Sequence, residues 1–360
     1  MKKNLFLVLT ASMLAMSLSA CGGGSATVTI AAQSSGEATG TAAEESKEVE
    51  ANISTADTSH ASVTIKYSTW ANDGEAAYEG MEMFKKLVEE GSEGNIAVEL
   101  YPANQLGSTN EQVEQITMNQ IQMMSSGDPG VKELEYLCLP YLFTDLSQYE
   151  EFLSSDLGKK YIQKSIDDRD ALILDTLPRS PRIISSNIPI NSLQDMKNMK
   201  IRVPERDYYV ETFKALGTQP TAMDMGEVYS AMQTGVVEGQ ENPIETIVSY
   251  GFQNVNKYLV YSNHMIKPAF VIVSNSFFNS LTPDQQTLVR ESCEKAREYA
   301  TDYMEDAMKK DRQTCIDAGM EICEPDLEEF KAATQSVRDE LGEQIWGKEG
   351  YEFVKSIAEK

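Results

Sequence analysis

Three features between positions 195 and 243 have the chemistry to bind a carboxylate. Arg202 lies in a short strand-like run, in which Ile201 and Val203 point to one face and Arg202 to the other. A helix is predicted to begin at Asp224, and Asn242 lies in a polar segment that ends at a proline. An arginine offers a two-pronged donor fork, and the start of a helix offers free backbone N–H groups. These residue types favour an anionic ligand, with a surface ion pair of Arg202 as the alternative.

The segment that follows Arg202 carries the local signals of a helix and a turn. Asp224 is predicted to be the N-cap, with Glu227 completing a capping box. Gly235 is expected to end this helix. Beyond it, 240–243 is predicted to form a tight polar loop that presents the amide of Asn242.

The elements that position these residues alternate between strand and helix. A strand is predicted at 63–67, a helix at about 76–90, and a second strand at 96–100. Ser108 and Glu111 form the capping box of another helix. This order predicts an α/β fold with a parallel sheet covered on both faces. The apolar run 171–174 is typical of a central strand.

Two crossings between domains and one long helix are predicted in the second half of the chain. The prolines at 178 and 181 mark the first crossing, and the second is expected at 266–268, before a strand at 269–274. Thr282 is the predicted N-cap of a helix that runs to about Asp317, with Pro283 at its first position. Such a helix is long enough to brace two domains.

The first residues have the pattern of a lipoprotein signal. Two lysines precede an apolar stretch at 5–18, which is too short for a stable membrane span. Small residues then precede Cys21, so 1–20 is predicted to be a signal peptide and Cys21 the lipid-modified N-terminus. Residues 22–62 lack aromatic residues and are predicted to be a disordered linker that spans roughly 35 Å. The protein is therefore expected to be extracytoplasmic and lipid-anchored.

Charge and cysteine content limit the classes of partner and site. The net charge of −25 argues against nucleic acid or anionic lipid as a ligand, so that anion binding requires a local cationic pocket. Cys138 lies in an apolar run and is expected to be buried. Cys293, Cys315 and Cys323 have no zinc-ligand spacing, and both free thiols and a Cys315–Cys323 bridge remain open.

No catalytic motif is found. His60 falls in the predicted linker, and His264 has no carboxylate, cysteine or second histidine near it in sequence. A lone histidine of this kind is more often a satisfied structural residue than a ligand or a base. No nucleophile elbow, phosphate loop or metal-spaced histidine pair occurs. We therefore expect no enzyme activity, no metal and no cofactor.

Several short motifs follow one another along the chain. They are Tyr101-Pro102-x-x-Gln105-Leu106-Gly107, Leu139-Pro140-Tyr141, Lys200-Ile201-Arg202-Val203-Pro204, Glu227-Val228-Tyr229-x-Ala231-x-Gln233-x-Gly235, Gly239-Gln240-Glu241-Asn242-Pro243 and Asn263-His264. In this order they resemble the solute-binding proteins (DctP type) of tripartite ATP-independent periplasmic (TRAP) transporters. The resemblance implies a periplasmic-binding-protein fold, with two α/β lobes joined by hinge strands and a long bridging helix. Lobe I would comprise 63–179 plus 268–307, and lobe II 180–267 plus 308–360.

The same resemblance implies a binding site in the cleft between the lobes. Arg202 would clamp the ligand carboxylate, Asn242 would assist it, and a second arginine aligns with Arg182, with Arg179 as the alternative. Met225 stands where the family often carries an aromatic residue. Further positions expected near the ligand are Trp70, Asp73, Glu75 and Ser125, with Asn72 and Ser126 beside them.

The implied function is capture of a small organic acid for the membrane permease subunits of a TRAP transporter. A hexuronate or another sugar acid is the leading ligand, because Trp70 could stack on a sugar ring and acidic residues could accept hydroxyl hydrogen bonds. Trp70 as a packing lid residue, and C4-dicarboxylates or keto acids as ligands, are the alternatives. A ligand-presenting sensor component and an extracytoplasmic sugar-acid enzyme are competing functions. We expect a monomer.

Overall fold

Two β-sheets form the framework of the protein, whose computed structural model describes residues 54–360. The first sheet has the strand order β2-β1-β3-β10-β4, and the second has the order β11-β9-β5-β8-β6-β7. The strands are β1 (Val63–Thr69), β2 (Ile96–Tyr101), β3 (Met123–Ser126), β4 (Ala171–Leu177), β5 (Arg182–Ser186), β6 (Lys200–Val203), β7 (Gln219–Ala222), β8 (Gly239–Asn242), β9 (Tyr258–Met265), β10 (Ala269–Ser274) and β11 (Glu321–Cys323).

Helices cover both sheets. They are α1 (Ala76–Gly91), α2 (Thr109–Thr117), α3 (Lys132–Glu135), α4 (Ser147–Ser154), α5 (Asp156–Arg169), α6 (Asp207–Ala215), α7 (Val228–Gln233), α8 (Ile244–Ser249), α9 (Asn275–Ser280), α10 (Pro283–Asp317) and α11 (Leu327–Ala358). The capping box predicted for α2 is formed, since the Ser108 hydroxyl accepts from the backbone N–H of Glu111. The predicted α/β fold is confirmed.

The first sheet is mixed rather than fully parallel. β1 pairs in parallel with β2 and β3, whereas β10 is antiparallel to both β3 and β4. The prediction of a central strand at 171–174 is wrong, because β4 lies at the edge of the sheet. Helices α5 and α10 pack against β4 and shield its apolar side chains, so an edge strand here carries the composition of an interior one.

The chain passes between the sheets at the two predicted places. β4 ends at Leu177 in the first sheet and β5 begins at Arg182 in the second; β9 ends at Met265 and β10 begins at Ala269. The strands of the first sheet thus come from residues assigned to lobe I, and those of the second from lobe II. The boundaries 179/180, 267/268 and 307/308 stay a prediction.

The long helix α10 matches its prediction at both ends. Thr282 is the N-cap, its hydroxyl accepts from the backbone N–H of Gln285, and the helix ends at Asp317. It packs against α1 and β4 on one side and against α8 on the other. Gly80 of α1 permits the close approach, because a Cβ there would lie 3.1 Å from the Cβ of Ala300.

The N-terminal prediction is partly wrong. Residues 54–62, assigned to the disordered linker, contact α1 and the residue that precedes β2. The Thr55 hydroxyl donates to Glu90 over 3.2 Å, and the Ser62 hydroxyl donates to Asn95 over 2.8 Å. These polar contacts hold a segment that has little apolar surface of its own. The predicted signal peptide, Cys21 and the linker up to residue 53 lie outside the described residues.

The cysteines of the described part are buried and free. They are Cys138, Cys293, Cys315 and Cys323. The burial of Cys138 is as predicted, and of the two possibilities left open for the C-terminal cysteines, the structure has free thiols.

Candidate functional site

Strand β6 places Arg202 in a buried position where no described carboxylate pairs with it. Ile201 and Val203 are fully buried in the core, as the alternation predicts, and Arg202 points to the other side, where it is only 4% exposed. Its Nε and Nη2 donate to the carbonyl oxygen of Met223 over 3.0 and 2.7 Å. Within residues 54–360, Arg202 forms no salt bridge. The carbonyl therefore fixes one edge of the guanidinium and leaves the Nη1 side for another acceptor.

Burial is the main electrostatic influence on Arg202. Loss of hydration lowers the pKa of its guanidinium to about 10, an effect that the charge of Glu241 partly offsets. The side chain remains protonated at neutral pH, but its charge is poorly compensated. A bound anion would supply the missing countercharge.

Arg182, by contrast, is paired. Its Nε and Nη2 donate to the two carboxylate oxygens of Glu241 over 2.5 and 2.8 Å, and Nη2 also donates to the side-chain oxygen of Asn242 over 3.0 Å. Burial alone would raise the pKa of Glu241, but Arg182 and His264 lower it to about 2. Arg182 is therefore neutralised by the protein itself.

His264 is a structural residue, as predicted. It is fully buried, its Nε2 lies 3.0 Å from the Glu241 carboxylate, and its Nδ1 lies 2.9 Å from the Ser262 hydroxyl. Burial lowers its pKa, although the Glu241 carboxylate opposes this. The carboxylate that is absent from its sequence neighbourhood comes from β8, across the second sheet.

Asn242 lies at the end of strand β8, so the prediction of a loop at 240–243 is wrong for residues 240–242. β8 is paired on both sides, with β5 and β6, and the polar side chains of this segment satisfy one another in the sheet. The Asn242 Nδ2 donates to Gln240 over 2.6 Å while its oxygen accepts from Arg182. Its orientation is therefore fixed.

The predicted helix start at Asp224 takes a different form. The Asp224 side chain accepts from the backbone N–H of Gly226, a short 3₁₀ turn follows over Met225–Glu227, and α7 begins only at Val228. The capping box with Glu227 is not formed, so this prediction is wrong. In the tight turn the carboxylate reaches the second residue instead of the third. Gly235, with φ of +74°, follows the helix as expected.

A cavity of about 210 Å³ lies between the two sheets and contains most of the predicted site. Its volume is below the roughly 300–1,000 Å³ of drug-sized pockets, which indicates a small ligand. It is lined by Trp70, Asn104, Ser108, Thr109, Asn110, Gly127, Asp128, Glu135, Arg179, Arg182, Arg202, Pro204, Glu205, Arg206, Tyr208, Tyr209, Met223, Asp224, Met225, Asn242 and Lys267.

Of the residues expected near the ligand, five line this cavity, whereas Asp73, Glu75 and Ser125, with Asn72 and Ser126 beside them, do not. Arg202, Asn242, Arg182, Trp70 and Met225 are brought together. Outside the cavity lining, Asp73 is exposed, and the hydroxyl of Ser125 is buried in a 2.6 Å hydrogen bond with Tyr67.

Arg179, the alternative to Arg182, also lines the cavity. Its guanidinium lies 4.7 Å from the centre of the Trp70 ring, and its Nη2 donates to the Thr246 hydroxyl over 3.1 Å. Burial lowers the pKa of Arg179, and the nearby charge of Arg182 lowers it further. Both arginines are therefore present at the site, in different electrostatic settings.

Sequence reasoning missed the residues at the rim. Arg206 donates to Glu135 over 2.8 Å, to Asp128 over 3.0 Å and to Asn110 over 2.9 Å. Lys267 donates to the Tyr208 hydroxyl over 2.7 Å. The sequence did contain a signal for Asn110. This residue follows β2, and ligands usually bind at the carboxyl edge of parallel strands.

The comparison with known families decides the assignment. The model of the family described as bacterial extracellular solute-binding protein, family 7 (DctP), matches residues 67–344. The chain belongs to this family. Members of this family serve in transport as solute-binding proteins of TRAP transporters, which work with membrane permease subunits.

Individual members of the DctP family are similar over most of their length. A sialic acid-binding periplasmic protein of Vibrio cholerae is 30% identical over 310 residues, which cover 85% of this chain and 95% of that protein. A C4-dicarboxylate-binding periplasmic protein of Rhodobacter capsulatus is 29% identical over 307 residues, which cover 82% of this chain and 90% of that protein.

Solved structures of TRAP periplasmic solute-binding proteins share the fold. One from Roseobacter denitrificans with bound L-galactonate has a TM-score of 0.75 and 27% identity, over 83% of this chain and 99% of that one. One from Pseudomonas putida with bound D-glucuronate has a TM-score of 0.75 and 28% identity, over 82% of this chain and 96% of that one. The two-lobed fold expected from the sequence is confirmed.

The described residues add two findings about partners. Among residues 54–360, no helix combines the length and the apolar character that a membrane crossing requires. In the same part of the chain, no cluster of histidine, cysteine or acidic side chains has an arrangement that could hold a metal ion.

Proposed function

We propose that this protein captures a small carboxylate-bearing solute outside the cytoplasm and delivers it to the permease subunits of a TRAP transporter. The observation that carries the proposal is Arg202, a buried guanidinium in the cavity with one edge fixed by a main-chain carbonyl and no carboxylate partner among the described residues. A carboxylate on the free edge would form a charge-assisted hydrogen bond and restore the countercharge.

The roles of the neighbouring residues follow from their contacts. Glu241 neutralises Arg182, so Arg182 would orient Asn242 and not act as the main charge partner of the ligand. The Asn242 amide, held in place by Gln240, would present a hydrogen bond to the ligand beside Arg202. Met225 contributes an apolar wall to the cavity.

A sugar acid is the ligand that the lining supports best. Asn104, Ser108, Thr109 and Asn110 form one wall of the cavity, and their side chains offer both donors and acceptors to hydroxyl groups. Similar proteins with bound L-galactonate and D-glucuronate support the same ligand class. One face of the Trp70 ring already lies against Arg179, so stacking on a sugar would use the other face.

A C4-dicarboxylate is the second candidate, and a specific observation favours it. Arg179 is a second buried cation in the cavity that forms no salt bridge within residues 54–360. A compact ligand with two carboxylates would bring countercharge to both arginines. The similarity to the C4-dicarboxylate-binding protein of Rhodobacter capsulatus agrees with this candidate.

A thermal-shift screen of residues 22–360 against sugar acids, dicarboxylates and keto acids tests the proposal. A ligand at a hundred times its dissociation constant stabilises the folded protein by about 2.7 kcal/mol, which is readily detected. Stabilisation by at least one class of acid, and none by the neutral sugars of the same size, is expected. If protein freed of carried-over ligand responds to none of the acids, the proposed cargo is wrong.

Lipid attachment at Cys21 is a separate part of the proposal, and its support is the signal pattern alone. Expression of the full chain in bacteria should give a membrane-bound product that partitions into detergent. Cys21→Ser should release the protein from the membrane or leave the signal uncleaved. An unmodified Cys21 in the mass spectrum of the mature protein would contradict the assignment.

A further inference from the structure

We propose that Arg179 holds a second anionic group of the ligand, so that the site is built for a small dicarboxylic acid that carries hydroxyl groups between its two carboxylates. This inference rests on the proposed function, since it assumes that Arg202 receives the first carboxylate. It combines in one molecule the features of the two ligand candidates. The residue that decides it lies in the crossing segment between β4 and β5.

The first observation is an unsatisfied donor. Arg179 is only 6% exposed and lines the cavity, and its buried Nε has no hydrogen-bond partner within residues 54–360. The one hydrogen bond of its guanidinium with a described residue is the one to Thr246. An unpartnered buried N–H is energetically unfavourable, so such a group is expected to have a partner in the functional state.

The second observation is that the nearby carboxylates are committed elsewhere. Glu75 accepts from the Thr246 hydroxyl over 2.9 Å and from the Ser249 hydroxyl over 2.8 Å. Glu245 accepts from both the backbone N–H and the hydroxyl of Ser180. Neither carboxylate forms a salt bridge with Arg179, although both act on its charge from a distance. Within the described residues, the guanidinium therefore lacks a contacting countercharge.

The third observation is that Arg179 and Arg202 are held by different parts of the protein. Arg202 extends from β6 and is fixed by the carbonyl of Met223, whereas Arg179 is fixed by the Trp70 ring and by Thr246. The charged neighbour common to both is Arg182, which Glu241 neutralises. Among residues 54–360, the cavity thus has two guanidinium groups that form no salt bridge and have separate supports, and the amide and hydroxyl groups of its lining suit a hydroxylated ligand.

A matched pair of ligands tests this assignment. A six-carbon aldaric acid and the corresponding aldonic acid are both open chains and differ only at carbon 6, which is a second carboxylate in the aldaric acid and a hydroxymethyl group in the aldonic acid. Calorimetric titration of residues 22–360 is expected to show at least tenfold tighter binding of the aldaric acid. Arg179→Gln should reduce the affinity for the aldaric acid at least tenfold more than the affinity for the aldonic acid. The control is Arg169→Gln, which replaces an exposed arginine paired with Glu114 and should leave the ratio of the two affinities unchanged.

Other results overturn the inference. Equal losses for both acids in Arg179→Gln would mean that Arg179 shares the first carboxylate or only supports the fold. Tighter binding of the aldonic acid by the wild type would also reject the inference, while the proposed function would stand. Absence of binding of either acid would reject this ligand class. If Arg179→Gln does not fold, Arg179→Lys is tested in its place. It should also reduce the preference for the acid with two carboxylates, because an ammonium lacks the two-pronged fork of a guanidinium.

Discussion

Arg206 is expected to slow ligand release by joining the two lobes across the cleft. It follows β6 on the side of the second sheet, and its three side-chain partners, Asn110, Asp128 and Glu135, lie on the side of the first. Opening of the cleft must break all three contacts. Arg206→Ala removes them while leaving Arg202 in place.

The size of the effect follows from the exposure of these groups. The side chain of Arg206 is 25% exposed, and those of Asp128 and Glu135 are 18% and 9% exposed. Partly exposed ion pairs contribute about 0.2–1 kcal/mol each, and the third hydrogen bond adds a similar amount. A total of about 1–2 kcal/mol corresponds to roughly 5- to 30-fold faster release.

Stopped-flow fluorescence can measure this rate, because Trp70 lines the cavity and is one of two tryptophans in the chain. Arg297→Ala is a matched control. Arg297 is also 25% exposed and pairs with two carboxylates, Glu150 and Asp175, but all three lie on the side of the first sheet. An unchanged release rate in Arg206→Ala, or an equal acceleration in Arg297→Ala, would refute the reasoning.

Two further predictions concern buried acids. Glu241→Gln leaves Arg182 buried without countercharge and should lower the free energy of unfolding by about 3–5 kcal/mol in denaturant titrations at pH 7. The pKa of Glu241 is about 2, against about 4.3 in an unfolded chain. The stabilisation by its carboxylate should therefore be intact at pH 5 and be lost as the pH falls towards 2. Loss of this stabilisation already at pH 5 would contradict the pairing. Burial and the charge of Glu245 raise the pKa of Asp311 to about 6, so its ionisation should destabilise the folded state as the pH rises from about 4 to 6. Asp311→Asn should therefore be more stable than the wild type by roughly 1 kcal/mol above pH 6 and show no gain at pH 4 in thermal unfolding; an equal gain at both would show that ionisation is not the cause.

Local signals were sufficient where one residue decides an element boundary. Thr282 and Pro283 predicted the start of α10, and the alternation around Arg202 predicted which side chains of β6 enter the core. Capping hydrogen bonds and side-chain alternation act over a few residues, so the sequence contains them directly.

Predictions failed where a distant element supplies the partner. The polar segment that ends in Asn242 reads as a loop, because nothing nearby in sequence reveals that two other strands pair with it. β4 reads as a central strand because its apolar run does not reveal that only β10 pairs with it among the described strands, or that α10, which is far away in the chain, covers it. The Glu241 carboxylate that joins Arg182 and His264 is also invisible locally, since the three residues come from β5, β8 and β9.

The predictions for the site also succeeded in part and failed in part. The resemblance to the DctP family indicated Arg202, Arg182 and Asn242, and all three line one cavity. It also indicated Asp73 and Ser125, which lie outside the lining: Asp73 is exposed in the turn that follows β1, and the Ser125 hydroxyl is bonded to Tyr67. The pairing of Arg182 and the lack of a salt bridge at Arg202 required the three-dimensional structure.

The most direct test of carboxylate capture by Arg202 is a calorimetric comparison of the wild type and Arg202→Lys, each titrated with the best acid from the screen and with the neutral amide of that acid. Loss of a charge-assisted hydrogen bond of about 1.5–3 kcal/mol predicts that the variant binds the acid roughly 10- to 150-fold more weakly. The amide should bind the wild type weakly, and the substitution should change its affinity much less. Equal affinity of both proteins for the acid would contradict the central claim.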